Sequence, residues 1–244
     1  MTTVVEALNR IARQCGVKAP SSWVTATRDD HVSLRDDFLR ETIDDILDRC
    51  DLPSPVANQQ TLTGGAGTTQ ADGSERFSLN SDFRRLQRDD MAIYDPQQDR
   101  PVVPVTDDGL WDYLTDVGAT GVIKYYRLAG YDGAYTLDFF KAPATGDTYK
   151  VNYISNKWLV SGGVGGSVFQ DETDILILPR RVVESGTVWR WRERQGLPYN
   201  DKMIEYEALI ARLSNDLRGR RSVNMGGKNF VKWQDLVPAF IPPS

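Results

Sequence analysis

Few side chains in this sequence are of a type that does chemistry, and their spacing limits what to expect of them. His31 is the sole histidine. It lies in Arg28-Asp-Asp-His31, just ahead of a helix start. A solvated N-terminal flank is expected there rather than general-base or metal duty. Cys15 and Cys50 fall at apolar positions of two predicted helices, which suits reduced, buried thiols better than a disulfide. No paired cysteine or histidine spacing for zinc exists. Gly162-Gly-Val-Gly-Gly166 is glycine-rich enough for a phosphate loop, but no Lys-Ser/Thr follows, so a loop of small residues is expected. Asp107-Asp108 and Asp171-Glu-Thr-Asp174 lack the spacing of a calcium loop, and Asp174 is expected to favour a helix N-terminus. Gly64 to Ser74 reads as a mobile loop or hairpin tip. No catalytic residue, metal site or cofactor is expected, and the chain does not read as an enzyme.

Charge is more informative than reactivity. Between Arg28 and Asp51 nine acids (Asp29, Asp30, Asp36, Asp37, Glu41, Asp44, Asp45, Asp48, Asp51) face four arginines, a balance of −5. From Arg218 to Ser244 five bases (Arg218, Arg220, Arg221, Lys228, Lys232) face one acid, Asp235, a balance of +4. Phe230, Trp233, Leu236, Phe240 and Ile241 are too apolar for a solubilising tail, so this segment is expected to be held against its own domain or another subunit. Asp37, Asp44, Asp48, Arg190 and Arg194 are the candidate inter-subunit helix positions. Arg218, Arg220, Arg221, Lys228, Phe230, Lys232, Trp233 and Phe240 are the candidate docking residues of the tail.

Behind these residues stand two kinds of segment. Thr3 with Glu6 makes a capping-box pattern, and Val4, Leu8, Ile11 and Cys15 recur on one face. Ser33 with Asp36 offers a similar start for a second helix, with Leu39, Ile43, Ile46, Leu47 and Cys50 on its apolar side. Pro179 is placed to begin a third helix carrying Val182, Val183, Val188, Trp189 and Trp191, and Gly196 with Pro198 stops it. A fourth, capped by Asn200 or Asp201, repeats Met203, Tyr206, Ile210, Leu213 and Leu217, with Ile204, Ala208 and Ala211 as a smaller stripe. Arg190, Arg192 and Arg194 alternate with Trp189 and Trp191, so part of the third helix is expected to face a neighbour or a channel.

The middle alternates with period two. Thr61 onward, Arg76–Leu79, Ile123–Leu128, Ala134–Phe140, Thr148–Ile154 and Trp158–Val160 read as short strands. Gly130-Tyr-Asp-Gly133 is a hairpin turn, Pro101–Val105 an edge strand, and Asp107–Val117 partly helical. The fold class is therefore α+β. A helical bundle of N- and C-terminal helix pairs (1–56 and 171–217) carries an inserted antiparallel β-sandwich or barrel (57–170) and an extended C-terminal tail (218–244). A net charge of −5 argues against a surface coated by nucleic acid. No signal peptide and no membrane span are expected.

The order of several motifs resembles the phage head-to-tail adaptors, the group of podophage tail tubular A proteins and related siphophage adaptors. The points of similarity begin with Arg40-Glu-Thr-Ile-Asp-Asp-Ile-Leu-Asp-Arg49 and Phe77-Ser-Leu-Asn-Ser-Asp-Phe83. They continue with Tyr149-Lys-Val-Asn-Tyr-Ile-Ser-Asn-Lys-Trp158 and Phe169-Gln-Asp-Glu-Thr-Asp174. The last is Leu178-Pro179 leading to Trp189-Arg-Trp-Arg-Glu-Arg-Gln-Gly-Leu-Pro-Tyr199. The resemblance covers the chain to about residue 217. It implies a virion protein, assembled in the host cytoplasm, that forms a ring (commonly a dodecamer) beneath the portal protein. A nozzle, stopper or tail tube protein would lie below, with genomic DNA passing through unread. The C-terminal segment would dock on the portal. The rival expectation is a carbohydrate- or receptor-binding module whose Tyr125, Tyr126, Tyr131 and Tyr135 stack on a ligand. A hydrolase using scattered carboxylates is the remote third.

Overall fold

Thr3 and Glu6 cap each other: the Glu6 N–H donates to Thr3 Oγ1 at 3.1 Å and the Thr3 N–H to the Glu6 carboxylate at 3.3 Å. Helix α1 (Val4–Gln14) follows, burying Val4, Leu8 and Ile11, and ends before Gly16 at φ +72°. In this computed structural model, which describes residues 2–88, 91–117, 123–131 and 133–218, the second helix departs from expectation. It begins at Asp29, not Ser33. Helix α2 (Asp29–Val32) runs through a π-helical turn (Ser33–Phe38) into α3 (Leu39–Arg49). Ser33 is thus inside the rod, and the Asp36 carboxylate pairs with the Arg35 guanidinium at 2.6 Å instead of capping. The earlier start also turns His31 inward. It is buried, with Nε2 2.9 Å from the Lys18 carbonyl and its ring edge-on to Trp23, so it is no solvated flank.

The strands that follow are β1 (Ala57–Thr63), β2 (Thr68–Thr69), β3 (Glu75–Ser78), β4 (Phe83–Leu86), β5 (Ile93–Asp95), β6 (Arg100–Pro101) and β7 (Val103–Pro104). After α4 (Asp108–Val117) come β8 (Tyr125–Ala129), β9 (Thr136–Phe140), β10 (Thr148–Ser155), β11 (Leu159–Ser161), β12 (Val164–Gly166) and β13 (Ile175–Leu176). Helices α5 (Arg180–Arg194) and α6 (Asn200–Arg218) complete the chain. Asn200 opens α6 rather than capping it; the Tyr199 carbonyl accepts the first bonds, from Lys202 and Met203.

One sheet runs β1-β10-β5-β6, with β4 also on β10; a second runs β2-β3-β9-β8-β7; a third, small one runs β12-β11-β13. All pairings are antiparallel except β7 with β8, and no sheet among the described residues closes into a barrel. The proline-containing 101–104 segment steps from the edge of the first sheet to the edge of the second, where a missing N–H costs no ladder bond. Gly162 and Gly163, both at positive φ, make the tight β11–β12 turn, which accounts for the glycine-rich motif.

Two large apolar cores result, with a small third cluster of Val105, Trp111, Leu114 and Phe140. Leu62, Phe77, Ile93, Tyr126, Leu137, Phe139, Tyr149 and Val151 fill the space between the two larger sheets. Residues of α1, α3, α5 and α6 make the other, joined by Trp158, Leu159 and Leu176 of the small sheet region. α5 touches α1, α3 and α6. β10 belongs to both cores: Tyr149 and Val151 point into the first and Ile154 into the second, as alternation along a strand requires. Among the described residues no helix is long and apolar enough to cross a membrane.

Candidate interface and the joint between the two cores

The acidic helix is the feature that sequence singled out, and its carboxylates are engaged within the chain. Arg84 on β4 forks onto Asp48, Nε to Oδ1 at 2.6 Å and Nη2 to Oδ2 at 2.8 Å, while its Nη1 reaches Asp44 at 2.6 Å. Arg85 takes Asp51 at 2.7 Å and also donates to the carbonyls of Leu47 (2.9 Å) and Cys50 (2.8 Å). Arg88 donates to the Asp48 carbonyl at 2.9 Å. Those carbonyls belong to the end of α3, where backbone acceptors have no partner within the helix and the dipole is negative. Three arginines therefore cap the helix and neutralise its side chains together. Hydrogen bonding from Arg84 holds the Asp48 carboxyl below its ordinary range.

A second group of charges ties α3 to α5 and α6. The Tyr206 hydroxyl donates to Asp45, and Arg190 reaches the same carboxylate at 3.2 Å. The Arg190 guanidinium is stacked 4.5 Å from the Trp189 ring centroid and 5.3 Å from that of Tyr206. Arg49 forks onto Glu207 at 2.8 and 2.6 Å. Burial, followed by the bond to Asp45, pushes the Tyr206 hydroxyl upward, so it remains a donor. Gly186 makes this approach possible: a Cβ there would stand 2.4 Å from Thr42 Cγ2 and 2.7 Å from Tyr206 Cε2.

Taken residue by residue, Asp44, Asp48 and Arg190 serve these intrachain contacts, whereas Asp37 and Arg194 are exposed. With Arg84, Arg85, Arg88 and Arg190 counted against it, the −5 stretch falls to −1. Trp191 is buried edge-on to Phe38, and Trp189, half-buried, lies between Tyr199 and Tyr206. Arg218 ends α6, while Arg220, Arg221, Lys228, Phe230, Lys232, Trp233 and Phe240 lie outside the described residues.

Sequence reasoning passed over Asp82, immediately before β4. It is buried and accepts from the Tyr153 hydroxyl (2.9 Å), Ser155 Oγ (3.0 Å) and Asn58 Nδ2 (3.2 Å), with Lys157 Nζ at 3.1 Å. The node sits at the irregularity between Ile154 and Ser155, where β10 passes from one core to the other. Arg84, Arg85 and Arg88 carried a signal that went unused: three arginines within five residues following an acidic helix.

The other chemical candidates resolve as structure. Asp174 is buried ahead of β13; its carboxylate accepts from the N–H groups of Gln170 and Asp171, and its carbonyl accepts from Val4 at the start of α1. It therefore stabilises a helix N-terminus through its backbone, and that helix is α1 rather than α5. Both cysteines are free, and burial pushes the Cys15 thiol up to about 12, away from reactivity. No group of three or more metal-ligating side chains occurs among the described residues. Of the four tyrosines of the rival reading, Tyr126 is buried, Tyr125 packs beside Trp111 and Phe140, and Tyr135 meets Phe83 edge-on; Tyr131 alone is mostly exposed. A scan against protein-family models and a search of curated proteins both return no match to the chain.

Proposed function

We propose that this chain is a structural head-to-tail connector of a tailed phage. Copies would close into a ring, by analogy a dodecamer, between the portal and a nozzle, stopper or tail tube protein. The ring would extend the DNA channel without reading sequence. The observation that carries the reading is an arrangement: helices from the two ends of the chain share one core, and a two-sheet unit is inserted between them. The motif order that resembles the adaptors accompanies it. On this reading residues 1–56 and 171–217 form a discontinuous bundle, 57–170 an inserted β-sandwich, and 218–244 a docking tail. Trp158 and Leu159 pack with the helices, which favours drawing the boundary of the bundle ahead of them.

A cyclic ring requires one surface to meet a different surface of the next copy. The intrachain neutralisation of Asp44, Asp48 and Arg190 leaves Asp37 and Arg194 as the stronger candidates of the original five. The basic tail is assigned to the portal. Sedimentation of the chain with portal assemblies tests this directly. The full chain should co-sediment, and a truncation after Leu217 should fold yet bind much more weakly. A truncated chain that binds undiminished would remove the tail from the account, and a full chain that stays in the supernatant would remove the portal.

A further inference from the structure

We infer that Asp82 and strand β4, with Arg88 just beyond it, form a two-sided latch that fixes the two-sheet unit against the helical core. The inference does not depend on the phage reading. One side is buried and permanent: Asp82 gathers Asn58 of β1, Tyr153 and Ser155 of β10, and Lys157. The other side is solvated: Arg84, Arg85 and Arg88 grip the last two turns of α3 through Asp44, Asp48, Asp51 and the carbonyls of Leu47, Asp48 and Cys50. The Arg84 side chain is 21% exposed and that of Asp48 is 56% exposed, so salt reaches this side. The Asp82 side chain is 12% exposed, so salt reaches that side less.

The difference gives the latch its directionality. When the arginines let go, Asp82 still holds β4 to its own sheet. The arginines then leave with the sheet, and α3 keeps its place in the helical core while its last turn, stripped of these caps, frays. The segment 51–56 and the 155–158 crossing are the two chain connections about which the units would then turn. The units stay tethered, because the chain runs without a break from β10 through 155–158 into the helical core. The motion is a hinge rather than a separation.

The test uses the whole chain. Hydrogen exchange should be followed at residues 46–51, with β9 and α5 as internal references, and small-angle scattering should report the span. In Arg84→Ala/Arg85→Ala/Arg88→Ala, exchange at 46–51 should rise on the order of tenfold or more, with β9 and α5 unchanged and the maximum dimension larger. Restoring opposite charge in a swapped sense, Arg84→Asp with Asp44→Arg and Asp48→Arg, should recover the compact span. Unchanged exchange at 46–51, or an unchanged span once exchange has risen, overturns the latch. If the triple variant fails to fold, the unmodified chain decides. Raising salt to about 1 M should accelerate exchange at 46–51 and widen the span, and indifference to salt overturns the proposal.

Discussion

The helical core and the two-sheet core solve the same problem in different ways. Each has to place ionised groups beside packed apolar surface. The helical core admits them as a network among three helices, with Asp45 shared by Tyr206 and Arg190 and flanked by Arg49 and Glu207. The two-sheet unit places them at strand starts or, on central β9, on the face that alternates with the inter-sheet core. Asp82 stands before β4, and Glu75, at the start of β3, accepts from the N–H groups of Gly65 and Gly67 at 3.2 and 2.7 Å. Asp138 on β9 takes the fork of Arg76 at 2.6 and 2.7 Å. A helix bundle offers interior faces where long side chains can cross between helices. A sheet core reached only by alternate residues leaves charge to strand starts and to the opposite face.

That contrast can be broken at graded cost. The largest effect is expected at Asp82→Ala, which leaves Lys157, Tyr153 and Ser155 without their buried acceptor; about 3–5 kcal/mol should be lost in denaturant unfolding. Unfolding should begin in the two-sheet unit, so near-ultraviolet tyrosine signals should change before the helical signal. Gly186→Ala acts on the other core. Its Cβ meets Thr42, which is β-branched and fully buried, and the buried Tyr206 ring, so the helices must shift at about 1–3 kcal/mol. Here the helical signal should move first.

Arg84→Ala should cost on the order of 1 kcal/mol at low salt and less at high salt, because its partners are partly exposed. Its acid dependence has a definite sign. The Asp48 carboxyl is depressed below 3.8 in the folded chain, so the stability it contributes is present above that value and fades as pH falls through the depressed one. Arg84→Ala should lose this part of the acid sensitivity; an unchanged acid limb would remove Asp48 from the joint.

The smallest effect is expected at Glu184, whose carboxyl is raised above 4.5 by burial, against the opposing charges of Arg180, Arg10 and Arg13. A raised carboxyl favours the folded chain at low pH and penalises it once ionised there. Glu184→Gln should therefore stabilise slightly, by less than about 1 kcal/mol, at neutral pH and not at pH 4. Thermal midpoints at the two pH values check the sign.

Local devices were readable in advance because they depend on neighbouring residues. Thr3 with Glu6, Gly130 and Gly133 at positive φ between β8 and β9, Pro179 ahead of α5 and the edge prolines all behave as their chemistry predicts. The start of α2 was misread because helix continuation through Ser33 rests on tertiary contacts: His31 against Trp23, and Arg35 donating to the carbonyls of Trp23 and Val24. The joint was illegible for a related reason. Arg84 and Asp48 are far apart in sequence, and only the register of β4 on β10 brings them together. The acidic helix looked like a surface awaiting a partner because its arginines are supplied by another segment of the same chain.

The proposed ring subunit seated on a portal is tested most directly by electron microscopy of the purified full chain mixed with its portal. Portal rings bearing a second, coaxial ring of this protein are the expected result. Bare portal rings beside unassembled single chains would contradict it.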